Sequence, residues 1–422
     1  MSEKPIKAEI KKTPAVGWRA QWAGLMRRRG TRWAVRTLFL LLFIGVFADF
    51  LANEKPLYCK IEGKTYFPVF KDYAVWMGWG NWASEFVRKD WQEHNYDAKV
   101  MPPIPYSPTT IDRKNTKFKS PFAKQNVSSL RYRHWLGTDK LGRDVASGMI
   151  SGTRVAMMVG ILSMLLAGMI GILLGGLAGY FGNDRFRASI VGIMMGSIGF
   201  FLGIFYGFTA RGYIIAEGSF FWEVGKGFLM LLGVWGLFFL LGKLLQRLPY
   251  LGKKFTLPLD TILMRVIEIF NSIPGLLVLL SVLSIVHSKS IYNIILLIGL
   301  LGWTSIARFT RGEMLRVRQL PYIQAARSLG YSNFRVVWRH ALPNALTPVL
   351  ITLSFGVAGA ILAEATISFL GIGVPFNAFT WGKMLSIARS NFSAWWLVVF
   401  PGIGIFVSVV IFNVISDGLR TR

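Results

Sequence analysis

The chain has little charge and almost no cysteine. Lys, Arg, Asp and Glu make up 16% of its 422 residues, whereas soluble domains contain about 25%. Hydrophobic residues make up 53%, and the mean hydropathy is +0.45. Because so few charges cannot cover a water-soluble surface, we expect a bilayer to cover much of the molecule. Cys59 is the single cysteine, which excludes an internal disulfide and a cysteine metal site.

Sequence motifs of catalysis are also missing. No G-x-x-x-x-G-K-[ST] phosphate loop occurs, so ATP hydrolysis coupled to this chain must come from another one. No H-E-x-x-H or G-x-S-x-G motif is present. The sequence therefore predicts neither an enzyme active site nor a metal site, since the four histidines are scattered, at His94, His134, His287 and His340.

Acidic residues are scarce beside the basic ones. The chain has 21 Asp and Glu against 48 Lys and Arg, for a net charge of +27. A basic soluble protein would suggest nucleic acid binding. Here the basic residues cluster beside apolar stretches, which indicates the cytoplasmic loops of a membrane protein instead.

Eight apolar stretches approach the roughly 20 residues that a helix needs to cross the hydrocarbon core. Lys and Arg beside them favour the cytoplasmic side, which places both termini inside and the long polar segment after the first stretch outside. No small-residue cleavage site follows the first stretch, so we expect a retained anchor. The predicted spans are 36–52, 155–180, 188–209, 224–245, 262–286, 291–310, 346–370 and 395–416.

The connection between the sixth and seventh spans carries the most informative pattern. Pro321 suits the first turn of a helix, where its missing N–H costs nothing. Tyr322 to Leu329 is predicted to form a short helix, with Ala325 and Ala326 exposing a patch of small residues. Gly330 is placed to end this helix in a left-handed conformation.

A second helix is predicted directly after this turn. Ser332 can cap it, Pro343 stops it, and Asn344 can cap the next span. A rigid protrusion of this kind suits docking into another protein, but an ordinary amphipathic helix at the membrane surface would show the same pattern. The residues alone leave both interpretations open. The predicted apolar stripe of the second helix is Phe334, Val337, Trp338 and Ala341.

This connection resembles the EAA coupling loop of ABC importer permeases, in which E-A-A, three residues and a glycine form the helix that docks onto the ATPase. Gln324 stands where the family usually has Glu, so the shape is kept while the charge for a salt bridge at that point is lost. The resemblance implies ATPase-coupling roles for Tyr322, Gln324, Ala325, Ala326, Gly330, His340, Pro343 and Asn344.

Other segments narrow the resemblance. Segment 134–145, with the pattern H-W-L-G-T-D-K-L-G-R-D-V, resembles the C-type permeases for dipeptides, oligopeptides and nickel. Segments 260–268, 363–371 and 417–420 are similar to later parts of the same permeases. Within that group, 51–57 and 66–68 resemble the Yej-type inner-membrane permeases, whose systems import peptides and the antibiotic microcin C.

The resemblance implies an all-α membrane protein: a polytopic bundle of about eight transmembrane helices. About six would form a core like that of type I importers, and an inserted pair would interrupt it. The expected organisation is a basic cytoplasmic tail 1–35, a first transmembrane helix 36–52, a periplasmic segment 53–153, a second helix and turn 154–187, an inserted pair 188–258, and a permease core 259–422 with a cytoplasmic coupling loop 311–345.

The implied function is that of a transport subunit, not an enzyme. The chain would be the transmembrane permease of an ATP-driven importer for peptides, including peptide-like antibiotics, in the bacterial inner membrane. Its implied partners are a second, B-type permease, ATP-binding subunits and a periplasmic substrate-binding protein. This chain would hold no cofactor, since ATP and Mg²⁺ would be bound by the partner ATPase.

The sequence also allows two other functions. One is a permease for nickel or another small solute. The other, of a different class, is a membrane scaffold that binds partners through its basic cytoplasmic loop. Transport by the assembled complex would distinguish the scaffold from the importer.

Two acidic residues, Glu268 and Glu364, fall within predicted spans. Charges inside a membrane are costly and usually face protein or water. They are candidates for the translocation path, where they could meet a peptide amino group. A hydrogen bond between helices, or a place near the membrane surface, is the more common alternative and the one favoured.

The docking interpretation leads to a mutational prediction. We expect Gly330→Val or Ala326→Asp to abolish transport while the chain still inserts into the membrane. Normal uptake by both variants would refute docking.

Overall fold

A computed structural model of the chain describes residues 26, 28–83, 86, 91, 96–183, 187–217, 220–248, 253–286, 289–375 and 378–420. The N-terminal tail up to residue 25, with His94 and His287, lies outside these residues. The described helices are α1 Arg29–Val46, α2 Ala48–Leu51, α3 Pro68–Trp76, α4 Val145–Phe181, α5 Ile190–Ile204, α6 Gly212–Glu217, α7 Phe220–Leu245, α8 Leu259–Asn271, α9 Gly275–Ile285, α10 Ile291–Val317, α11 Pro321–Ser328, α12 Asn333–Arg335, α13 Leu342–Leu370, α14 Trp381–Ala388 and α15 Trp396–Arg420. Short strands are β1 Tyr58–Ile61, β2 Lys64–Tyr66, β3 Ala98–Val100, β4 Arg187–Ser189 and β5 Lys254–Thr256.

The prediction of an all-α polytopic bundle is confirmed. Within the described ranges, six helical stretches are long and apolar enough to cross a membrane, and the bent pair α8–α9 makes a seventh if counted as one span. The six are 145–181, 190–209, 222–245, 291–317, 333–370 and 396–420.

The core is built on a close crossing of α4 and α10. Gly171, Gly175 and Gly179 line one face of α4 at a spacing of four residues, and a Cβ at Gly175 would lie 2.3 Å from the Ala307 carbonyl oxygen. Small residues at this spacing allow two backbones to approach closely. Further packing by α13, α14 and α15 completes one continuous apolar core around this crossing.

The predicted span 262–286 is not one straight helix, because the chain bends there by 70° between α8 and α9. Pro274 lies at the break and precedes α9 with φ −56° and ψ 122°, outside the helical region. Proline has no N–H to donate to the preceding turn, and its ring clashes with the carbonyl four residues earlier. Two short helices therefore replace one straight span.

The first predicted span, 36–52, also differs from the structure. Its helix, α1, begins seven residues earlier at Arg29 and ends at Val46; it is not among the six stretches named above. Arg154 of α4 binds the α1–α2 region. Its guanidinium donates to both carboxylate oxygens of Asp49, each at 2.9 Å, and to the carbonyl of Gly45.

The 53–153 segment contains a small folded unit. Its three-stranded antiparallel sheet has the order β2-β1-β3. Cys59 on β1 is fully buried against Phe86 and Trp91. This cysteine therefore acts as a small core residue.

The predicted inserted pair forms a helical hairpin. Helix α5 with its π-helical end, Phe205–Thr209, packs against α7. Strands β4 and β5 pair at its base and set Ser189 opposite Lys254. Only 17% of the most apolar stretch of α5 and its π-helical end is buried, and only 6% of that of α7, whereas the corresponding share for α4 is 44%. The hairpin therefore buries little beyond its own interface.

Candidate functional site

The 311–345 loop begins with α11, whose ends follow from its sequence. Pro321 occupies the first turn. Gly330 has φ +79°, the left-handed conformation that glycine adopts without steric cost. The Tyr331 N–H donates to the Ala326 carbonyl at 3.2 Å, and the Gly330 N–H to that of Arg327 at 2.9 Å. This paired arrangement satisfies the carbonyls at the end of the helix.

The second part of the loop does not stop at Pro343, contrary to the prediction. Ser332 caps α12 by accepting from the Arg335 N–H at 3.4 Å, as expected. A π-helical turn, Val336–Ala341, then leads directly into α13. Pro343 falls in the first turn of α13, where a missing N–H is tolerated.

Asn344 accordingly takes another place than predicted, and His340 lies beside it. Asn344 does not cap the next span, because it lies inside the continuous helix and its side-chain amide donates to the His340 carbonyl at 2.7 Å. The His340 ring stacks on Tyr331 with 6.1 Å between ring centroids. Both residues thus stiffen the junction between the loop and α13.

A buried apolar cluster holds the loop against the end of α4. Ala326 is 7% exposed and packs in it. The predicted patch of two exposed alanines is therefore half wrong: Ala325 is exposed and Ala326 is not. The cluster is completed by Tyr180, Met314, Val317, Ile323, Val336, Val337, Ala341, Leu342 and Ala345.

Polar contacts join the same surfaces. The Arg327 Nε donates to the Tyr180 hydroxyl at 3.3 Å, and the guanidinium lies 4.7 Å from the centroid of that ring. The tyrosine hydroxyl donates in turn to Asn333 at 3.3 Å. Arg318 reaches the Gly179 carbonyl at 3.2 Å. The loop is therefore seated on α4 by both packing and hydrogen bonds.

The outer surface of the loop carries two exposed aromatic residues. Phe334 is 72% exposed and Trp338 47%, with their ring centroids 6.0 Å apart. The predicted apolar stripe is therefore divided, because Val337 and Ala341 face the buried cluster while the two aromatic residues face outward. Other exposed residues of the loop include Tyr322, Gln324, Ala325, Leu329 and the basic residues Arg335 and Arg339.

An ion pair that the sequence analysis missed connects the base of the loop to the bent pair. Arg311, at the end of α10, donates through Nε and Nη2 to the two carboxylate oxygens of Asp260, with 2.7 Å between Nη2 and Oδ2. Such two-point guanidinium–carboxylate pairs fix orientation as well as distance. The start of α8 is thereby tied to the loop.

The two acidic candidates for the translocation path lie in different environments. Glu268 is exposed on α8 and pairs with Arg265 at 2.7 Å. Glu364 is 1% exposed inside α13 and accepts a hydrogen bond from Ser368 in the next turn. The structure does not bring the two together in one site.

The H-W-L-G-T-D segment forms a buried polar network. The ring of His134 is fully buried, with Nδ1 2.9 Å from Asp144 and Nε2 3.2 Å from Asp112. Burial alone would lower the pKa of His134, but the hydrogen bonds and charges of Asp144 and Asp112 outweigh it and raise the pKa above its ordinary value. Because Asp144 also caps α4 by accepting from Ser147, the network fixes the 53–153 segment to that helix.

Comparison with known proteins places this arrangement in a family. Residues 250–422 match the family described as the binding-protein-dependent transport system inner membrane component. The match covers α8 to α15, and therefore the bent pair, the 311–345 loop and α13.

Curated relatives extend the similarity over the whole chain. The inner membrane ABC transporter permease protein YejE of Escherichia coli is 26% identical over 408 residues, 95% of each chain. The dipeptide transport system permease protein DppC of Bacillus subtilis is 27% identical over 289 residues, covering 68% of this chain and 67% of the relative. A peptide transport system permease of Brucella suis, named as putative, is 41% identical over 162 residues, 38% of this chain and 54% of the relative.

These similarities agree with the helical architecture and with the sequence prediction of a transport subunit. A binding-protein-dependent system works with ATPase and substrate-binding partners, and its permease resides in the inner membrane as a multi-pass protein. Residues 250–422 of this chain therefore carry the match to the binding-protein-dependent transport family, and the chain as a whole is similar to permease proteins of ABC transporters.

Proposed function

We propose that the chain imports peptides, with both termini and the 311–345 loop in the cytoplasm and the 53–153 segment in the periplasm. The peptide and dipeptide systems named for its relatives support this substrate class. The positions of Lys and Arg beside the spans support the orientation. A second, B-type permease, ATP-binding subunits and a periplasmic binding protein would complete the complex, and the ATP-binding subunits would hold ATP and Mg²⁺.

The coupling role is carried by one observation, the form of the 311–345 loop. It has a rigid base, packed on the end of α4, and an exposed apolar surface around Phe334 and Trp338. Exposed aromatic residues on a rigid base are typical of the energetic centre of a protein interface. We therefore assign this surface to the ATP-binding subunit, with Ala325 at the point of close approach.

In the proposed mechanism, two permeases enclose a pathway that opens alternately to either side. ATP draws the partner ATPases together, and their movement displaces the loop and α13, which forms one helix with it. A ligand shifts such an equilibrium only through its different affinities for the two states. The loop must therefore remain docked in both states.

Docking is tested by placing a negative charge on the exposed surface of the loop. We expect Phe334→Asp and Ala325→Asp to lower the ATPase that copurifies with the tagged chain by about tenfold or more, as for loss of an interface hot spot. Phe255→Asp is the matched control, since Phe255 is an exposed aromatic residue on β5, outside the loop. Ala326→Asp is a poorer probe than the sequence suggested, because it would place a charge in the buried cluster.

Gly330→Val tests the turn itself. A Cβ would meet no atom within 4 Å, but φ +79° is a conformation that a β-branched residue rarely adopts. We expect the variant to insert into the membrane and to lose uptake of labelled peptide in proteoliposomes.

Equal ATPase recovery from the loop variants and the Phe255→Asp control would contradict docking. A wild-type complex that hydrolyses ATP and transports Ni²⁺ but no peptide would replace the proposed substrate with a metal ion. A chain that recovers no ATPase at all would favour the scaffold alternative.

A further inference from the structure

A cavity of about 320 Å³ lies at the Leu370 end of α13, on the periplasmic side in the proposed orientation. Its wall is formed by the residues before α10, the end of α13 and the first turns of α14. Cavities that bind small molecules measure about 300–1,000 Å³, so this one fits a single terminal residue better than a whole peptide. The residues that give the wall its character are Lys289, Ser368, Val374, Lys383, Ser386 and Ile387.

The cavity is cationic. Two lysines, Lys289 and Lys383, line it, and the described part of its wall contains no Asp or Glu. Lys383 is held in place by the loop before α14, because its ammonium donates to the carbonyls of Pro375 at 3.3 Å and Ala378 at 2.9 Å.

The electrostatic surroundings of Lys383 favour an anion. Burial, followed by the charge of Arg143, lowers the pKa of Lys383 to about 8, and Asp139 opposes this shift. Asp139 is engaged by the Arg143 guanidinium at 2.7 Å. A carboxylate placed between the two lysines would compensate the desolvation that disfavours the ammonium form.

Glu364 does not supply that negative charge to the cavity. Its carboxylate is buried behind the wall and accepts from the Ser368 hydroxyl. Glu364 is therefore placed to orient Ser368 rather than to meet a peptide amino group directly.

We propose that this cavity binds the C-terminal carboxylate of the transported peptide, between Lys289 and Lys383, with the Ser368 and Ser386 hydroxyls beside it. The proposal rests on the proposed peptide import and assigns one end of the substrate to a place on this chain. An acidic side chain of the binding protein offers the same chemistry from another source, and the experiment separates the two.

The experiment compares two peptides that differ only in their C-terminus. A trialanine with a free carboxylate and its C-terminal amide are imported by proteoliposomes that contain the full complex and its binding protein. Uptake KM is measured for wild type, Lys289→Gln, Lys383→Met and Lys383→Arg. Lys124→Met, an exposed lysine outside the cavity wall, is the matched control.

We expect Lys289→Gln and Lys383→Met to raise the KM for the free acid by about tenfold, the effect of losing a charge-assisted hydrogen bond, and to leave the KM for the amide unchanged. Lys383→Arg should retain most of the preference because it keeps the charge. Taking the ratio of the two peptides for each variant cancels any preference of the binding protein itself.

An unchanged acid-to-amide ratio in Lys289→Gln would overturn the proposal, whatever happens to the folding of Lys383→Met. Equal losses for both peptides would assign the lysines to docking of the binding protein and overturn it as well. Failure of the wild-type complex to import either peptide would instead be a failure of the proposed function.

Discussion

The α4–α10 crossing and the α5–α7 hairpin both join two helices along glycines, yet they differ in what surrounds them. At the crossing, a Cβ at Gly175 would be 2.3 Å from a backbone oxygen of α10, and other helices cover the pair. In the hairpin, a Cβ at Gly203 would be 3.0 Å from the Leu231 oxygen of α7, but the other faces of both helices are exposed. Close approach alone therefore does not make a helix pair part of the core.

The largest expected effect comes from breaking the core crossing. Gly175→Leu places a side chain against backbone that cannot move aside, and we expect it to destabilise the protein by about 3 kcal/mol, typical of severe overpacking. Gly203→Leu should disturb the hairpin while leaving the complex assembled. Thermal unfolding in detergent, followed by loss of the monodisperse peak, measures both.

Gly196→Leu is the control for added apolar volume, since a Cβ at that position meets nothing within 4 Å. Equal unfolding midpoints for Gly175→Leu and Gly203→Leu would show that the two helix pairs are equally integrated, contrary to the comparison.

A second test concerns the buried polar network that attaches the 53–153 segment to α4. Among the described residues, no such network attaches the hairpin to α4. Because the folded-state pKa of His134 is raised, its stabilisation is complete below the unfolded pKa and is lost as pH rises through the folded value. The pKa of Asp112 is lowered, since hydrogen bonds from Asn115 and His134 outweigh burial. Its contribution is lost as pH falls through that lowered value.

The contributions of both groups to the stability of the segment should therefore be complete between pH 3.8 and pH 6.5, the ordinary pKa values of the two side chains. Thermal midpoints of the detergent-solubilised chain should fall above that range. His134→Gln should abolish the alkaline part of this dependence, and an identical pH profile in the variant would assign the titration to other groups.

Removing the hairpin altogether should have the smallest effect on the folding and assembly of the rest of the chain. Ser189 and Lys254 are direct partners in the β4–β5 ribbon, so a two-residue Asn-Gly turn can replace residues 190–253 and close a β-hairpin. An even number of crossings is removed, so the orientation of α8 to α15 is preserved. Recovery of the shortened chain with its ATPase would support the comparison, whereas loss of insertion would make the hairpin part of the folding core.

Local signals in the sequence are sufficient to predict how the first helix of the 311–345 loop begins and how the turn after it is formed. Pro321, Gly330 and Ser332 act through their own backbone conformation or their nearest N–H groups, so each could be placed from its neighbours alone. Pro343 could not, because the π-helical turn before it lets the helix continue. For the same reason the predicted stripe is divided: the extra residue in the π turn changes the helical period, so Phe334 and Trp338 do not share a face with Val337 and Ala341.

Features that depend on distant contacts could not be predicted. Asp260 and Arg311 are 51 residues apart, and Lys289 and Lys383 meet at one cavity only because α10, α13 and α14 pack together. The bend at Pro274 had a local signal, a proline within an apolar stretch, which the hydropathy pattern concealed. The sequence-predicted roles of Glu268 and Glu364 in the translocation path stay predictions.

The π-helical junction also determines how a movement of the loop is transmitted along α13. Because it joins the loop to α13, residues 333–370 form one rod of 38 residues, about 57 Å long at 1.5 Å per residue. Phe334 stands at one end of this rod and Ser368 at the other. A tilt of a few degrees about its centre would move each end by about 1–2 Å, in opposite directions. The π turn and Pro348 are the places where this rod can bend. In the proposed mechanism, a displacement of the loop would therefore move the lysine-lined cavity in the opposite direction.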